Sequence, residues 1–419
     1  MKIFKTASWM KLLTAIIVLL VIQNCYAADW PQFRGLNRNG HSPETGLLKS
    51  WPTGGPKLLW SVNTIGPGNS SAAVANNKLY ITGMFDKQEY LMAFDLTGKM
   101  LWKQKYGEPW LQSFPDPRCT PTVDGDRVYV ISGVGQLVCF DATSGVQKWA
   151  VHVVERFKGE YDRWGISECL LVDDKNVYCT PGGPDATVVA LNKLNGNTVW
   201  ASKGLSDKSS YCNPIFIEHG GKKIISTMLE KSFVGIDSKT GKLLWKENLK
   251  DFWPKNGSIN PTSPVYHDGC IFISEGYNSG SAMFELSADG TRVTRKWVDD
   301  VLDIHHGGAV YMNGYVYGAN WRNNSTGNWV CLDWKTGKVI YEETWHCKGS
   351  IIAADGMLYL YDEKDGYVGL VRPDPNKFDL VSSFAITQGS GPFWAHISIA
   401  NGIMYIRHGE SLQAFQIKA

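Results

Sequence analysis

Gly235-Ile-Asp-Ser-Lys-Thr-Gly-Lys-Leu-Leu-Trp245 decides how this chain folds, because the chain repeats it. Ala93-Phe-Asp-Leu-Thr-Gly-Lys-Met-Leu-Trp102, Cys139-Phe-Asp-Ala-Thr-Ser-Gly-Val-Gln-Lys-Trp149 and Ala190-Leu-Asn-Lys-Leu-Asn-Gly-Asn-Thr-Val-Trp200 carry the same order of residue types. A looser copy, Glu285-Leu-Ser-Ala-Asp-Gly290, is followed by Trp297. Cys331-Leu-Asp-Trp-Lys-Thr-Gly-Lys-Val-Ile-Tyr341 puts Tyr in the Trp place. The closing aromatics Trp60, Trp102, Trp149, Trp200, Trp245, Trp297 and Tyr341 fall 42, 47, 51, 45, 52 and 44 residues apart. Self-similarity at such a period marks a repeat architecture.

Each copy has one grammar. A first strand enters a turn such as Val123-Asp-Gly-Asp126, and a second follows, such as Arg127-Val-Tyr-Val-Ile131. A Gly-rich loop leads to a third strand ending in Asp, and a Thr-Gly turn leads to the Trp strand. Asp-Gly and Asn-Gly between alternating apolar runs are hairpin signals. The Asp side chain can accept from N–H groups two residues on, and the Gly can take positive φ. Four strands per repeat describe a propeller blade. Six blades close at Trp102 to Tyr341, and a seventh spans about Gly349 to Phe384. The tail holds three strands, near Ile397, Met404–Ile406 and Leu412–Ile417. Pro56-Lys-Leu-Leu-Trp60 supplies the missing outer strand, which removes free sheet edges. The expectation is an all-β, eight-bladed β-propeller whose eighth blade is shared by the two termini, with seven blades as the alternative.

Composition agrees. The 419 residues include 17 Trp and 43 Gly, and 20% are charged, where about a quarter is usual. Residues 1–27 have the layout of a secretory signal: Lys2, Lys5 and Lys11, the apolar run from Leu12 to Ile22, and small residues before a cut after Ala27. A membrane anchor and a lipoprotein at Cys25 are the alternatives; the run is short for a span, and Asn24 is not the small residue expected before a lipidated Cys. Export to the periplasm or beyond is expected, with no transmembrane segment in the mature chain. Removing three Lys leaves 39 basic against 40 acidic residues, which excludes sequence-independent nucleic-acid binding. Residues 28–50 form an N-terminal strap and 51–419 the propeller. Eight cysteines remain, and Cys169 and Cys179 could bridge across a hairpin centred near Asp174; two buried free thiols are the alternative. There is no Cys-x-x-Cys and so no zinc ribbon or c-type haem site.

The Ala-x-Asp-x-x-Thr-Gly-x-x-x-Trp pattern resembles the tryptophan-docking repeat of PQQ-like (pyrroloquinoline quinone dehydrogenase-like) eight-bladed propellers, over nearly all of the mature chain. Asp29-Trp-Pro-Gln-Phe-Arg-Gly35, Asn39-Gly40 and Ser42-Pro-Glu-Thr-Gly46 also look like the start of secreted bacterial members. The resemblance implies Trp rings wedged between blades, and three function classes: a binding or scaffold module, a PQQ-dependent alcohol or sugar dehydrogenase, and an outer-membrane assembly factor. Quinone enzymes of this type carry adjacent cysteines, an Asp base and a calcium held by Glu and Asn. No Cys-Cys occurs here; Glu168, Asn213 and Asn260 could imitate the calcium ligands. The cofactor expectation is thus none, or PQQ with Ca2+.

Candidate site residues are those that break the repeat where loops converge on one channel mouth. They are Arg118, Trp164, Glu168, Asn213, Asn260, Glu275, Asn320, Trp394 and Arg407, together with His305, His306 and His396. Glu168, His306 and His396 are the catalytic candidates, and His305 joins them as candidate metal ligands. Adjacent His residues on a strand face opposite ways, so at most one of His305 and His306 can face the channel squarely. Three readings stand: a metal or catalytic centre, a polar and aromatic pocket for a sugar, peptide or quinone, and a solvated channel wall. The leading expectation is a monomeric binding module taking a small molecule, glycan or protein at its funnel mouth.

Overall fold

A computed structural model describes residues 29–161, 163–255 and 257–418; the expected signal segment lies outside them. Eight antiparallel four-stranded units follow one another along the chain. Blades 1 to 7 span residues 73–107, 122–152, 171–201, 215–248, 265–299, 309–343 and 349–385. In blade 8, the strand Lys57–Val62 pairs with Ser411–Gln416, which continues to Ile403–His408 and Ser398–Ala400. Eight blades, the last closed by strands from both ends, is therefore the architecture, and the seven-blade alternative falls.

The closing Trp is placed by one local device. Every outermost strand carries a bulge one residue before the Trp position, for example between Leu58 and Trp60, Gln147 and Trp149, and Leu243 and Trp245. A bulge turns the strand and re-aims the side chain that follows. The ring then leans onto the next blade. Trp60 donates its indole N–H to Leu96 O at 2.8 Å, Trp149 to Lys193 O at 3.0 Å, and Trp200 to Ser238 O at 3.0 Å. Each such ring lies where the Cβ of a turn glycine would be: Trp60 on Gly98, Trp149 on Gly196, Trp200 on Gly241. The Gly of the Thr-Gly turn is thus required twice, for its φ of 73° at Gly241 and for its missing side chain. Burying an indole on both sides stabilises each seam by a few kcal/mol. The looser copy marks a real exception. At the turn of blade 5 it is His219, not Trp245, that reaches across, at 3.1 Å from Ser287 O.

The hairpin that could have brought Cys169 to Cys179 has another register, and the alternative of two buried free thiols holds. Leu171 faces Tyr178 and Val172 faces Val177, so Cys179 lines up with Leu170 and not with Cys169. Cys169 Sγ instead accepts from Thr120 N at 3.2 Å. All eight described cysteines are free.

Candidate functional site

The segment expected to strap the ring fills its channel. The Trp30 N–H and carbonyl both bond Val74 of blade 1, and Pro31 O accepts from Val123 N of blade 2. Arg38 donates to Cys169 O at 2.8 Å, Pro214 O at 3.2 Å and Leu170 O, in blades 3 and 4. Arg34 donates to Ala309 O at 2.5 Å and Ile351 O at 3.1 Å, in blades 6 and 7. Phe33 rests 4.8 Å from the His396 ring at blade 8. Side chains four residues apart touch opposite sides of the ring only if the segment sits on its axis. His41–Ser42 then adds a parallel strand to the inner edge of blade 7. Both arginines are 2% exposed, and burial lowers the Arg34 pKa to about 10. Cβ atoms at Gly40 and Gly308 would collide with the Arg34 guanidinium.

A second set of bonds stitches the lead-ins of successive innermost strands. Ser71 N donates to Thr120 Oγ1 at 2.9 Å, Thr120 N to Cys169 Sγ at 3.2 Å, and Cys169 N to Asn213 Oδ1 at 2.5 Å. His396 N donates to Ser71 Oγ at 3.0 Å and closes the ring at that end. Several expected site residues belong to this scaffold. Asn260 donates to Leu229 O at 2.7 Å, and Asn320 to Val301 O at 3.0 Å and Glu342 Oε1 at 2.8 Å. Arg407, 1% exposed, donates to Gly409 O, Ser70 Oγ, Thr82 O and Gly66 O, and pins blade 8 to blade 1. Glu275 accepts from Gly257 N at 3.0 Å and from the Ser279 hydroxyl. Glu168 Oε2 accepts from Thr180 N at 2.9 Å and Thr180 Oγ1 at 2.8 Å. Burial raises both Glu168 and Glu275 to about 7.

The calcium expectation meets a misfit here. Calcium needs six or more free oxygens. Glu168 Oε2 and Asn213 Oδ1 already accept from the protein and Asn260 spends its amide N–H groups on two carbonyls, while Glu168 Oε1 alone of the Glu168 and Asn213 oxygens has no partner, far short of a calcium shell. These residues do not fit the calcium of a quinone enzyme.

The mouth above the plug is aromatic. Phe114 and Trp394 lie 5.5 Å apart, Trp394 and His306 5.5 Å, Tyr277 and His305 4.9 Å, and Tyr277 and Trp321 5.0 Å. Trp164 packs at 5.4 Å on Tyr211, and Arg118 holds the backbone of Trp164 and Phe114. All come from loops leading into innermost strands or joining second to third strands, so one face collects them. A surface cleft of about 670 Å3 lies on the opposite, hairpin-turn face between blades 3 and 4, at Asp173, Asn192 and Lys223. It is lined by repeat turns and contains none of the residues that break the repeat.

At the floor of the mouth, His305 and His306 do not alternate as strand residues would. Residues 301–308 are a loop that ends in Gly307-Gly308, and the two rings come within 4.4 Å. His305 Nε2 meets Tyr277 Oη at 2.7 Å. His306 Nε2 stands 3.3 Å from Glu363 Oε2, and Lys348 Nζ holds Glu363 Oε1 at 2.5 Å. His396 Nε2 donates to His306 O at 2.9 Å. His305 Nδ1, His306 Nε2 and His396 Nδ1 are buried without a hydrogen-bond partner among the described residues. Burial favours the neutral form of all three: it lowers His396 to about 3, His305 well below its usual value, and His306 less. Of the twelve expected site residues, five line the mouth or its floor: Trp164, His305, His306, Trp394 and His396. Glu363, Lys348, Phe33 and Phe114 were not expected. Glu363 hides in Asp362-Glu-Lys-Asp-Gly366, which reads as turn chemistry.

A family model described as "Outer membrane protein assembly factor BamB", of the PQQ-like class, matches residues 87–340. The chain belongs to this PQQ-like propeller family. A curated relative, outer membrane protein assembly factor BamB of Kangiella koreensis, is 30% identical over 141 residues, 32% of each chain. The chain thus aligns with about a third of that relative's length. Among solved structures, BamB from Moraxella catarrhalis superposes with a TM-score of 0.62 at 14% identity, over 86% of this chain and 99% of that one. Quinohemoprotein alcohol dehydrogenase from Comamonas testosteroni gives 0.68 at 12% identity, over 93% and 81%. The two superpositions share the PQQ-like fold and nothing finer. Among the described residues no helix is long and apolar enough to cross a membrane.

Proposed function

We propose that this PQQ-like protein is an exported binding module that seats its ligand in the aromatic mouth, not in the channel and not on a quinone. The plug is the observation that carries this reading. Residues 30–42 are bonded to the inner strands, which supports placing the ligand at the aromatic mouth and not on the axis. Half-exposed Trp and Tyr faces around polar His and Lys groups suit a ligand with a flat apolar face and polar edges, of which a sugar ring is the simplest. Aromatic faces give contact area at low entropic cost, and the polar floor orients what they hold. Export rests on the layout of residues 1–27, and a monomeric state on the closed sheet edges.

The test is direct. The purified chain is titrated with mono- and oligosaccharides, and separately with PQQ and Ca2+, while its melting temperature is followed; native-state ligands raise it by mass action. A sugar-dependent rise that W394A abolishes is expected, with no dye reduction when PQQ, Ca2+ and alcohols or sugars are supplied. Turnover with PQQ would overturn the reading in favour of a dehydrogenase. A second reading, protein docking in outer-membrane assembly, draws on the family match across residues 87–340. It predicts that the mouth captures an unfolded outer-membrane polypeptide and ignores sugars.

A further inference from the structure

We infer that the floor of the mouth is a divalent transition-metal site built from His305 Nδ1, His306 Nε2 and Glu363 Oε2. One ring nitrogen of each histidine and one Glu363 carboxylate oxygen lie within 4.8 Å of one another. Zinc bonds N and O donors at about 2.0–2.2 Å, so its tetrahedron separates them by roughly 3.3–3.5 Å. His306 Nε2 and Glu363 Oε2 already stand at 3.3 Å. The widest spacing closes with a shift of about 1.5 Å, within reach of a loop imidazole.

Two further features fit a metal. His305 Nδ1 is buried without a hydrogen-bond partner and His306 Nε2 has only the Glu363 carboxylate at 3.3 Å, a costly state for polar atoms that a metal bond would relieve. Tyr277 Oη lies 2.7 Å from His305 Nε2; in the tautomer protonated at Nε2 the phenol oxygen accepts and the Nδ1 lone pair is free, as with an outer partner of a metal-bound imidazole. Two imidazoles and one carboxylate suit zinc, cobalt, nickel or copper, and not calcium, which takes oxygens. Three protein ligands leave a fourth position open, on the side of Trp394, whose ring lies 5.5 Å from His306. Lys348 opposes the ion: its ammonium holds Glu363 Oε1 at 2.5 Å, offsets the carboxylate charge and weakens the site.

The metal deepens the mouth reading, since its open position would face the same ligand, but it is read out separately. The tag-free full chain is stripped with EDTA, dialysed and titrated with Zn2+ by calorimetry and with Co2+ by visible absorption. One ion per chain is expected, with a cobalt spectrum of mixed N and O ligation and no displacement by Ca2+. H305A and E363Q should each weaken binding by tenfold or more, and Y277F by about 10-fold or more through the lost outer partner. K348M should tighten it. Melting curves of the metal-free variants check folding. If E363Q fails to fold, Y277F and K348M decide, because they move affinity in opposite directions and leave all three ligands in place. No heat or colour change at a large excess of Zn2+, or binding indifferent to H305A and Y277F, overturns the site. Sugar binding that persists in EDTA alongside no zinc binding would refute the metal alone. Zinc binding without any mouth ligand would refute the binding reading alone.

Discussion

The plug and the floor of the mouth are a few residues apart and are built on opposite principles. Arg34 and Arg38 are the most polar residues of the plug, and each guanidinium is spent on inner-strand carbonyls. His305 and His306 are half-buried and His396 is buried, yet His305 and His396 each leave a ring nitrogen without a hydrogen-bond partner and His306 Nε2 meets only Glu363. A buried polar group with all its bonds made holds a fold together, and one left unmade is costly and asks for a ligand. Sorting residues this way separates scaffold from site inside one funnel. Arg407, Asn260 and Asn320 fall with the plug, and His305 and His396 with the floor.

The comparison breaks first if the plug is dispensable. Arg34→Met removes two charge-assisted bonds and leaves Ala309 O and Ile351 O facing an apolar side chain. At about 1.5–3 kcal/mol per charged bond, the loss should be roughly 3–5 kcal/mol in denaturant unfolding. Arg38→Met should cost as much, because its carbonyls in blades 3 and 4 are equally enclosed. Either variant unfolding like wild type would mean that the plug is not part of the folded core.

The two regions also differ in the sign of their response to pH. Glu168 is raised by burial from 4.5 to about 7. It prefers to stay protonated in the fold, so its contribution is complete below about 4.5 and is lost as pH rises through 7. Relative to wild type, E168Q should therefore gain stability between pH 4.5 and 7, by up to about 3 kcal/mol. His396 is lowered by burial from 6.5 to about 3, and its contribution is lost as pH falls below 6.5. H396Q should gain on wild type in that acid direction. Unfolding curves of the three proteins across this range check both slopes, and parallel curves would place these groups in water.

The repeat was legible because each blade buries the same residue at the same place. Asp, Thr-Gly and Trp recur because a capped turn must accept the ring of the blade before it, as Trp200 lies on Gly241. Blade count, shared closure and the weak copy at blade 5 all followed from that one contact. The plug was not legible, since Trp30 to Gly40 has no period and its partners are backbone carbonyls scattered over the whole chain. Alternation misjudged His305 and His306, because Gly307-Gly308 lets the lead-in turn where a strand would run straight. Cys169 and Cys179 failed by one residue of register, and one residue flips a side chain to the other face. Asn213 and Asn260 carried ligand-like chemistry, but backbone groups of neighbouring blades had first claim on it.

The smallest expected effect is also the sharpest separation. Phe114 is 53% exposed and touches Trp394 at 5.5 Å across the mouth. Phe114→Ala removes one wall of the aromatic ring without opening a core cavity, so stability should change by no more than about 0.5 kcal/mol. Zinc affinity should stay unchanged, since Phe114 offers no ligand atom and contacts none of His305, His306 or Glu363 in a ring pair. Sugar-dependent stabilisation should fall, because the ligand loses one of the faces it lies against. A variant that keeps its melting temperature and its metal but loses its ligand would divide the funnel into three parts with separate work. A Phe114→Ala protein that binds sugars as well as wild type would move the ligand away from this rim and towards Trp321 and Tyr277.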